Sequence, residues 1–151
     1  MSSLASDDRG VLARCASCGQ TNRLRYSHLD RAIRCGHCRT ALPPPSVPIE
    51  ASHASAFDAL VADAPVPVLV DFWAPWCAPC RMMAPELEKV ARSLAGGVLV
   101  VKVNTDDIPE LGERFGIRSI PTLAVFRGGH EVSRVAGVRP AAEIEALVGR
   151  A

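Results

Sequence analysis

Val68-Leu-Val-Asp-Phe-Trp-Ala-Pro-Trp-Cys-Ala-Pro-Cys-Arg-Met-Met-Ala-Pro85 is the stretch on which the reading of this chain turns. Val68 to Phe72 has the apolar, β-branched and aromatic character of a buried strand. The strand breaks off at a turn rich in aromatic residues and proline, and a helical pattern begins with Cys77 and Cys80 at its start. A cysteine at a helix N-terminus meets N–H groups without helical partners and the positive end of the dipole, and both favour the thiolate. The thiolate is the form that attacks a disulfide. Cys80 follows one turn later, where its sulfur can close a small ring with that of Cys77. The spacing describes a dithiol that alternates with its own disulfide without a cofactor.

The flanking residues extend this into a family pattern. Val70-Asp-Phe-Trp-Ala74 before Trp76-Cys-Ala-Pro-Cys80, Pro85 five residues beyond the second cysteine, and Ile120-Pro-Thr122 downstream together resemble the thioredoxin family over roughly residues 50 to 150. The resemblance implies an α/β thioredoxin fold, a central mixed β-sheet flanked by helices, and a protein-disulfide reductase. In this family the reactive cysteine has a pKa of about 7 against about 8.5 for a free thiol, which raises the thiolate fraction at neutrality from roughly 3% to roughly half. Ala78 stands where the commonest pattern has glycine, so the reduction potential is left open while the reaction class is not.

The same resemblance implies roles for individual residues. Cys77 would attack the substrate disulfide and Cys80 would resolve the mixed disulfide. Asp71 is a carboxylate in an apolar strand, costly to bury as an anion, so its pKa should be raised. With Lys102 on the neighbouring strand, it matches the family's relay for the proton of Cys80. Two plainer readings stay open, an aspartate at a strand end that reaches water and a lysine whose stem runs out to solvent. Pro121 would be cis, leaving the Ile120 backbone free to pair with an incoming peptide. Trp76, Gly137 and Val138 would form an apolar rim for substrate, Ala78 and Pro79 lie in the substrate-facing turn, which Pro79 stiffens, and Trp73 should pack in the core.

Residues 1 to 40 carry a second pattern. Cys15-x-x-Cys18 and Cys35-x-x-Cys38 are sixteen residues apart, within the spacing of a four-thiolate zinc ribbon. Gly19 and Gly36 are placed to relax the two knuckles. About 40 residues cannot fold on a hydrophobic core alone, and Val11, Leu12, Leu24, Tyr26, Leu29, Ile33 and Leu42 are the whole apolar supply, so metal would provide the missing stability. His28 and His37 are further candidate ligands, although four cysteines complete a tetrahedral set. A second set of redox disulfides is the alternative for the four cysteines. Together with the downstream pattern, this head resembles the zinc-containing second type of thioredoxin known in bacteria. Residues 41 to 48, with four prolines in eight positions, read as a semi-rigid spacer before a domain at residues 49 to 151.

Charge and composition narrow the function further. The first 45 residues hold seven Arg against three Asp, and the remainder ten basic against thirteen acidic groups. A mildly basic head with one tyrosine and no dense basic run argues against nucleic acid. No apolar run approaches a membrane span, and the polar start with Asp7 and Asp8 does not read as a secretory leader. A monomer in the cytoplasm is expected, where six cysteines favour metal binding and catalysis over structural disulfides. No glycine-rich dinucleotide fingerprint is present, so neither flavin nor nicotinamide is expected. Electrons would come, as the resemblance implies, from an NADPH-dependent thioredoxin reductase and go to disulfide-containing client proteins.

For the body, Ser52 is the expected cap of a short helix presenting Phe57, Leu60 and Val61. A helix over 78–95 should pack through Met82, Met83, Leu87, Val90 and Leu94, with a kink at Pro85. Val98 to Val103 reads as a strand parallel to the first, residues 107 to 115 as a short helix, and Thr122 to Phe126 with Glu131 to Ala136 as a hairpin turning at Gly128-Gly129. Pro140 opens a last helix with Ile144, Leu147 and Val148 inward. Two other functional readings compete, a zinc-dependent binding module or redox-gated chaperone, and a disulfide oxidant or isomerase. Isoleucine before Pro121 resembles the reducing members of the fold and disfavours the latter.

Overall fold

The computed structural model describes residues 3–150. Its strands are β1 (Ser6–Asp7), β2 (Gly10–Arg14), β3 (Thr21–Arg25), β4 (Ile33–Arg34), β5 (Ala41–Leu42), β6 (Ile49–Glu50), β7 (Val68–Trp73), β8 (Leu99–Asn104), β9 (Thr122–Arg127) and β10 (His130–Ala136). The helices are α1 (Ala54–Asp63), α2 (Ala78–Ser93), α3 (Pro109–Arg114) and α4 (Ala141–Arg150). A five-stranded mixed sheet runs β10-β9-β7-β8-β6, with β7 at its centre. β8 lies parallel to β7 and to β6, and β9 antiparallel to β7. A strand in that position is covered on both faces, which is why Val68 to Phe72 is wholly buried and reads as a continuous apolar run.

The two faces of the sheet carry separate cores. Val68, Val70 and Phe72 pack with Phe57 and Leu60 of α1 and Leu111 of α3. Leu69 packs with Met83, Leu87 and Val90 of α2 and with Ile144 and Val148 of α4. Side chains of this size contribute about 1.5–3 kcal/mol each when fully buried. Strand alternation thus puts Asp71, two residues from Leu69, on the face covered by α2. Pro85 lies inside α2, which continues through it from Ala78 to Ser93.

Two expectations for the body need correction. Met82 does not join the core; it is 68% exposed, because the buried stripe of α2 runs through Cys80, Met83, Leu87, Val90 and Ala91. His53, not Ser52, occupies the N-cap of α1 and makes no side-chain cap bond. Ser52 is drawn away because its hydroxyl donates to the Ser6 carbonyl at 2.5 Å. The β9–β10 turn follows expectation, with positive φ at both Gly128 and Gly129 (58° and 84°), the conformation that turns a two-residue hairpin in register with strand twist.

The head does not stand off on a spacer. Val11, Leu24, Tyr26, Leu29 and Leu42 belong to the same buried cluster as Phe57, Leu60, Val101 and Phe126. Leu4 bridges Ile49 in parallel fashion, its N–H donating to the Pro48 carbonyl at 2.9 Å. Ser6 Oγ donates to the Glu50 carbonyl at 2.6 Å, and Asp8 accepts from Ser55 at 2.7 Å and contacts His53. The head's few apolar side chains are too small a supply to form a core alone, so most of them are buried against α1 and the sheet instead.

Candidate functional site

Cys77 is the N-cap of α2, and the backbone N–H of Cys80 donates to its sulfur at 3.2 Å. Pro79 falls in the first turn, where a missing N–H costs nothing and the ring's fixed φ suits the helix. The two sulfurs form a disulfide, with Cα atoms 5.3 Å apart. In this oxidised form both cysteines are buried, Cys77 4% and Cys80 3% exposed. Exposure therefore does not distinguish the two sulfurs. Their positions differ, since Cys77 sits at the helix mouth with its sulfur 3.7 Å from the Ile120 carbonyl, while Cys80 lies within the buried stripe.

The Ile120–Pro121 peptide is cis. Gly137, at φ 95°, donates its N–H to the Pro121 carbonyl at 2.9 Å, tying the end of β10 to the start of β9. Trp76 is 68% and Val138 41% exposed, two large apolar side chains left uncovered near this junction. The Trp76 indole N–H reaches Asp106 Oδ1 at 3.4 Å. Between Trp76 and Ile120 runs a groove of about 210 Å³, lined also by Thr105, Ile117, Arg118 and Ser119. Sequence reasoning missed Asp106, Arg118 and Ser119. Arg118 and Ser119 could have been suspected from their place beside Ile120, but nothing marks Asp106 before the fold brings it to Trp76.

On the face of β7 covered by α2, Asp71 is 1% exposed and its Oδ1 has no hydrogen-bond partner among the described residues. Burial pushes its pKa up to about 7, against the opposing pull of Lys102 and with a further push from Glu50. Asp71 and Lys102 are direct partners in the parallel β7–β8 register. The Lys102 ammonium lies 4.2 Å from the centroid of the Trp73 ring, a cation held over an aromatic face. The strand-end reading of Asp71 is therefore overturned by its burial. Trp73 is only partly buried, and its indole N–H is without a partner among the described residues.

In the head, Cys15, Cys18, Cys35 and Cys38 converge until their sulfurs all lie within 4.8 Å of one another. The Cys15–Cys38 and Cys18–Cys35 sulfurs are 3.6 and 3.7 Å apart. A tetrahedron of thiolates at about 2.3 Å from zinc has edges of about 3.8 Å, so the set fits such an ion. The two knuckles repeat one hydrogen-bond pattern. Gly19 and Arg39 donate to the carbonyls of Cys15 and Cys35, and the N–H groups of Cys15 and Cys35 donate to Gln20 and Thr40. The left-handed position follows the second cysteine in both, at Gly19 (φ 81°) and Arg39 (φ 70°). Gly36 is not the second relaxed turn; its N–H donates to Asn22 Oδ1 at 2.9 Å. The thiol of Cys35 is pushed down to about 5 by the backbone N–H of Cys38, the Asn22 amide and the His37 N–H. His28 and His37 are not members of the converging set.

Comparison with known proteins agrees with this geometry. The thioredoxin family model matches residues 48–150. Thioredoxin 1 of a Nostoc species is 55% identical over 86 residues, 57% of this chain and 80% of that protein. The chloroplastic thioredoxin M4 of Arabidopsis thaliana is 37% identical over 142 residues, 94% of this chain and 72% of that protein. Among solved structures, a thioredoxin variant from Halobacterium salinarum superposes with a TM-score of 0.65 at 30% identity, covering 70% of this chain and 91% of that one. The thioredoxin of Malassezia sympodialis gives 0.63 at 31%, covering 76% and 97%. The mixed sheet and its helices are thus the thioredoxin fold, the chain belongs to the thioredoxin family, and it is a thiol–disulfide oxidoreductase.

Proposed function

We propose that the protein reduces disulfides in other proteins through Cys77 and Cys80 and carries a four-cysteine zinc site in its head, as in the zinc-containing second type of thioredoxin. The observation that carries the redox reading is the Cys80 N–H aimed at the Cys77 sulfur at the mouth of α2. That dipole stabilises negative charge on Cys77 once the disulfide is reduced. The Cys77 thiolate attacks a client disulfide, forming a mixed disulfide and expelling the other client sulfur as a thiolate. Cys80 then gives its proton to Asp71 and attacks the Cys77 sulfur. The Cys77–client bond breaks, the second client thiolate leaves, and the Cys77–Cys80 disulfide forms with two electrons passed to the client.

Asp71 suits the proton step because a carboxyl with a pKa of about 7 is ready to accept or release near neutrality. Lys102, its strand neighbour, balances the charge that Asp71 acquires on ionising. Pro121 and Ile120 edge the cleft facing Cys77, and the client backbone pairs there, over the rim of Trp76, Ala78, Pro79, Gly137 and Val138. An NADPH-dependent thioredoxin reductase restores the dithiol. No helix of the described residues is long and apolar enough to cross a membrane. A reducing compartment such as the cytoplasm suits both the dithiol and the metal thiolates.

For the head, support comes from sulfur spacing matched to a tetrahedral ion. A closed set of four thiolates leaves no open coordination position, so zinc there would be structural and would supply folding free energy. The reading is tested by insulin reduction with NADPH and thioredoxin reductase. Wild type should be active and Cys77→Ser inactive; a wild type that reduces no insulin would instead favour the binding-module reading.

A further inference from the structure

Three ionisable residues stand side by side on three adjacent strands. Glu50 of β6 pairs in register with Lys102 of β8, and Lys102 pairs in register with Asp71 of β7. Register partners in parallel strands present their side chains on one face, so the order across the sheet is acid, base, acid. At the outer end of this line a cavity of about 120 Å³ is bounded by Glu50 and Lys102, by Ala84, Leu87 and Glu88 of α2, and by Ser3 and Pro48. Asp71 itself is buried, with one carboxylate oxygen unpartnered among the described residues.

We infer that Glu50 is a positioning residue for the redox reaction, sharing Lys102 with Asp71 and giving the proton collected at Asp71 its way to solvent through this cavity. The inference rests on the proposed role of Asp71 as acceptor of the Cys80 proton. One ammonium cannot fully compensate two carboxylates. While Glu50 is ionised it draws on Lys102, leaving Asp71 protonated to higher pH; Lys102 in turn balances whichever acid has lost its proton. Asp71 is 1% exposed, whereas Lys102 and Glu50 both line the cavity.

The charged groups around Glu50 are Lys102 on β8, Asp71 on β7, Glu88 on α2 and Asp107 after β8, with the Ser3 hydroxyl also at hand. Burial pushes the Glu50 pKa up, Lys102 and the Ser3 hydroxyl oppose this, and Asp107 adds to it. The cavity wall at Ser3 and the bridge of Leu4 to Ile49 come from the segment leading into the head. That segment therefore forms part of the outlet.

The test is a carboxyl-carbon NMR titration of Asp71 in the oxidised full-length protein, alongside the pH profile of client reduction. Glu50→Gln should lower the Asp71 midpoint by about half a pH unit or more and move the acidic limb of the profile with it. Glu50→Asp, which keeps the charge, should restore both. Lys102→Met should move the midpoint the other way. An Asp71 midpoint identical in wild type and Glu50→Gln, with both folded, would overturn the inference. Asp71→Asn separates it from the reading beneath it. If that variant reduces clients at the wild-type rate, Asp71 is not the acceptor, whatever the coupling between the two acids.

Discussion

The Cys80 backbone N–H points at the sulfur of Cys77 from 3.2 Å away. In the reduced protein the same donor would face a thiolate, and charge-assisted hydrogen bonds of this kind are stronger than neutral ones. We expect the alkylation rate of Cys77 to follow a midpoint near about 7, with a thiolate fraction at neutrality more than about tenfold that of an ordinary thiol. Iodoacetamide kinetics against pH measure this. A midpoint at the free-thiol value would remove the basis of the redox reading.

Cys80→Ser should leave the attacking sulfur intact and the resolving one absent. The variant is expected to accumulate mixed disulfides on Cys77 when incubated with cell lysate, visible as reductant-sensitive adducts by mass spectrometry. Cys77→Ser, handled identically, should accumulate far fewer.

Asp71 has a folded pKa of about 7 against an ordinary carboxyl value of 3.8. Between those values the folded state binds the proton more tightly than the unfolded state, so stability falls as pH rises through this window. The loss is complete above the folded pKa and is of the order of 4 kcal/mol at most. Denaturant melts should show wild type weaker at pH 8 than at pH 5. Asp71→Asn should flatten that dependence and be the more stable protein on the alkaline side.

Gly19 and Arg39 occupy the same left-handed position in the two cysteine knuckles. A side chain there costs roughly 1–2 kcal/mol, less the entropy that glycine loses on folding. Gly19→Ala should destabilise by about 1 kcal/mol, and Arg39→Gly should stabilise by about 0.5–1 kcal/mol. The pair is checked by denaturation midpoints of the metal-loaded full chain.

Metal removal tests how far head and body are one unit. The two tryptophans, Trp73 and Trp76, lie in the body and the single tyrosine, Tyr26, in the head. Because Tyr26 and Leu29 share a buried cluster with Phe57 and Phe126, chelation should lower the unfolding midpoint seen by tryptophan fluorescence as well as that seen by tyrosine. Separate transitions, with the tryptophan signal unmoved, would mean that the body is indifferent to the metal.

Much of the site was legible because its logic is local. The Cys77–Cys80 spacing at a helix start, the apolar strand interrupted by Asp71, and Gly128-Gly129 between two strands each encode their conformation within a few residues. The cis bond at Pro121 was legible only through the family resemblance, since sequence alone gives cis to about one X–Pro bond in twenty. Met82 and Ser52 misled for separate reasons. Each has the right chemistry for the role expected of it, but its place in the three-dimensional structure differs: Met82 falls off the buried stripe of α2, and the Ser52 hydroxyl is taken by the Ser6 carbonyl.

The sequence by itself determined the reactive pair, the spacing of the four head cysteines and the order of strands and helices from α1 to α4, because short-range periodicity and turn chemistry act along the chain. Only the tertiary structure decided that the head is buried against α1 and the sheet, that Asp106 meets Trp76, and that Glu50 joins Asp71 and Lys102 in one line. Those relationships depend on which strands become neighbours. Neighbours in a sheet are chosen by burying apolar faces shared between distant segments, and no local run of residues specifies that choice.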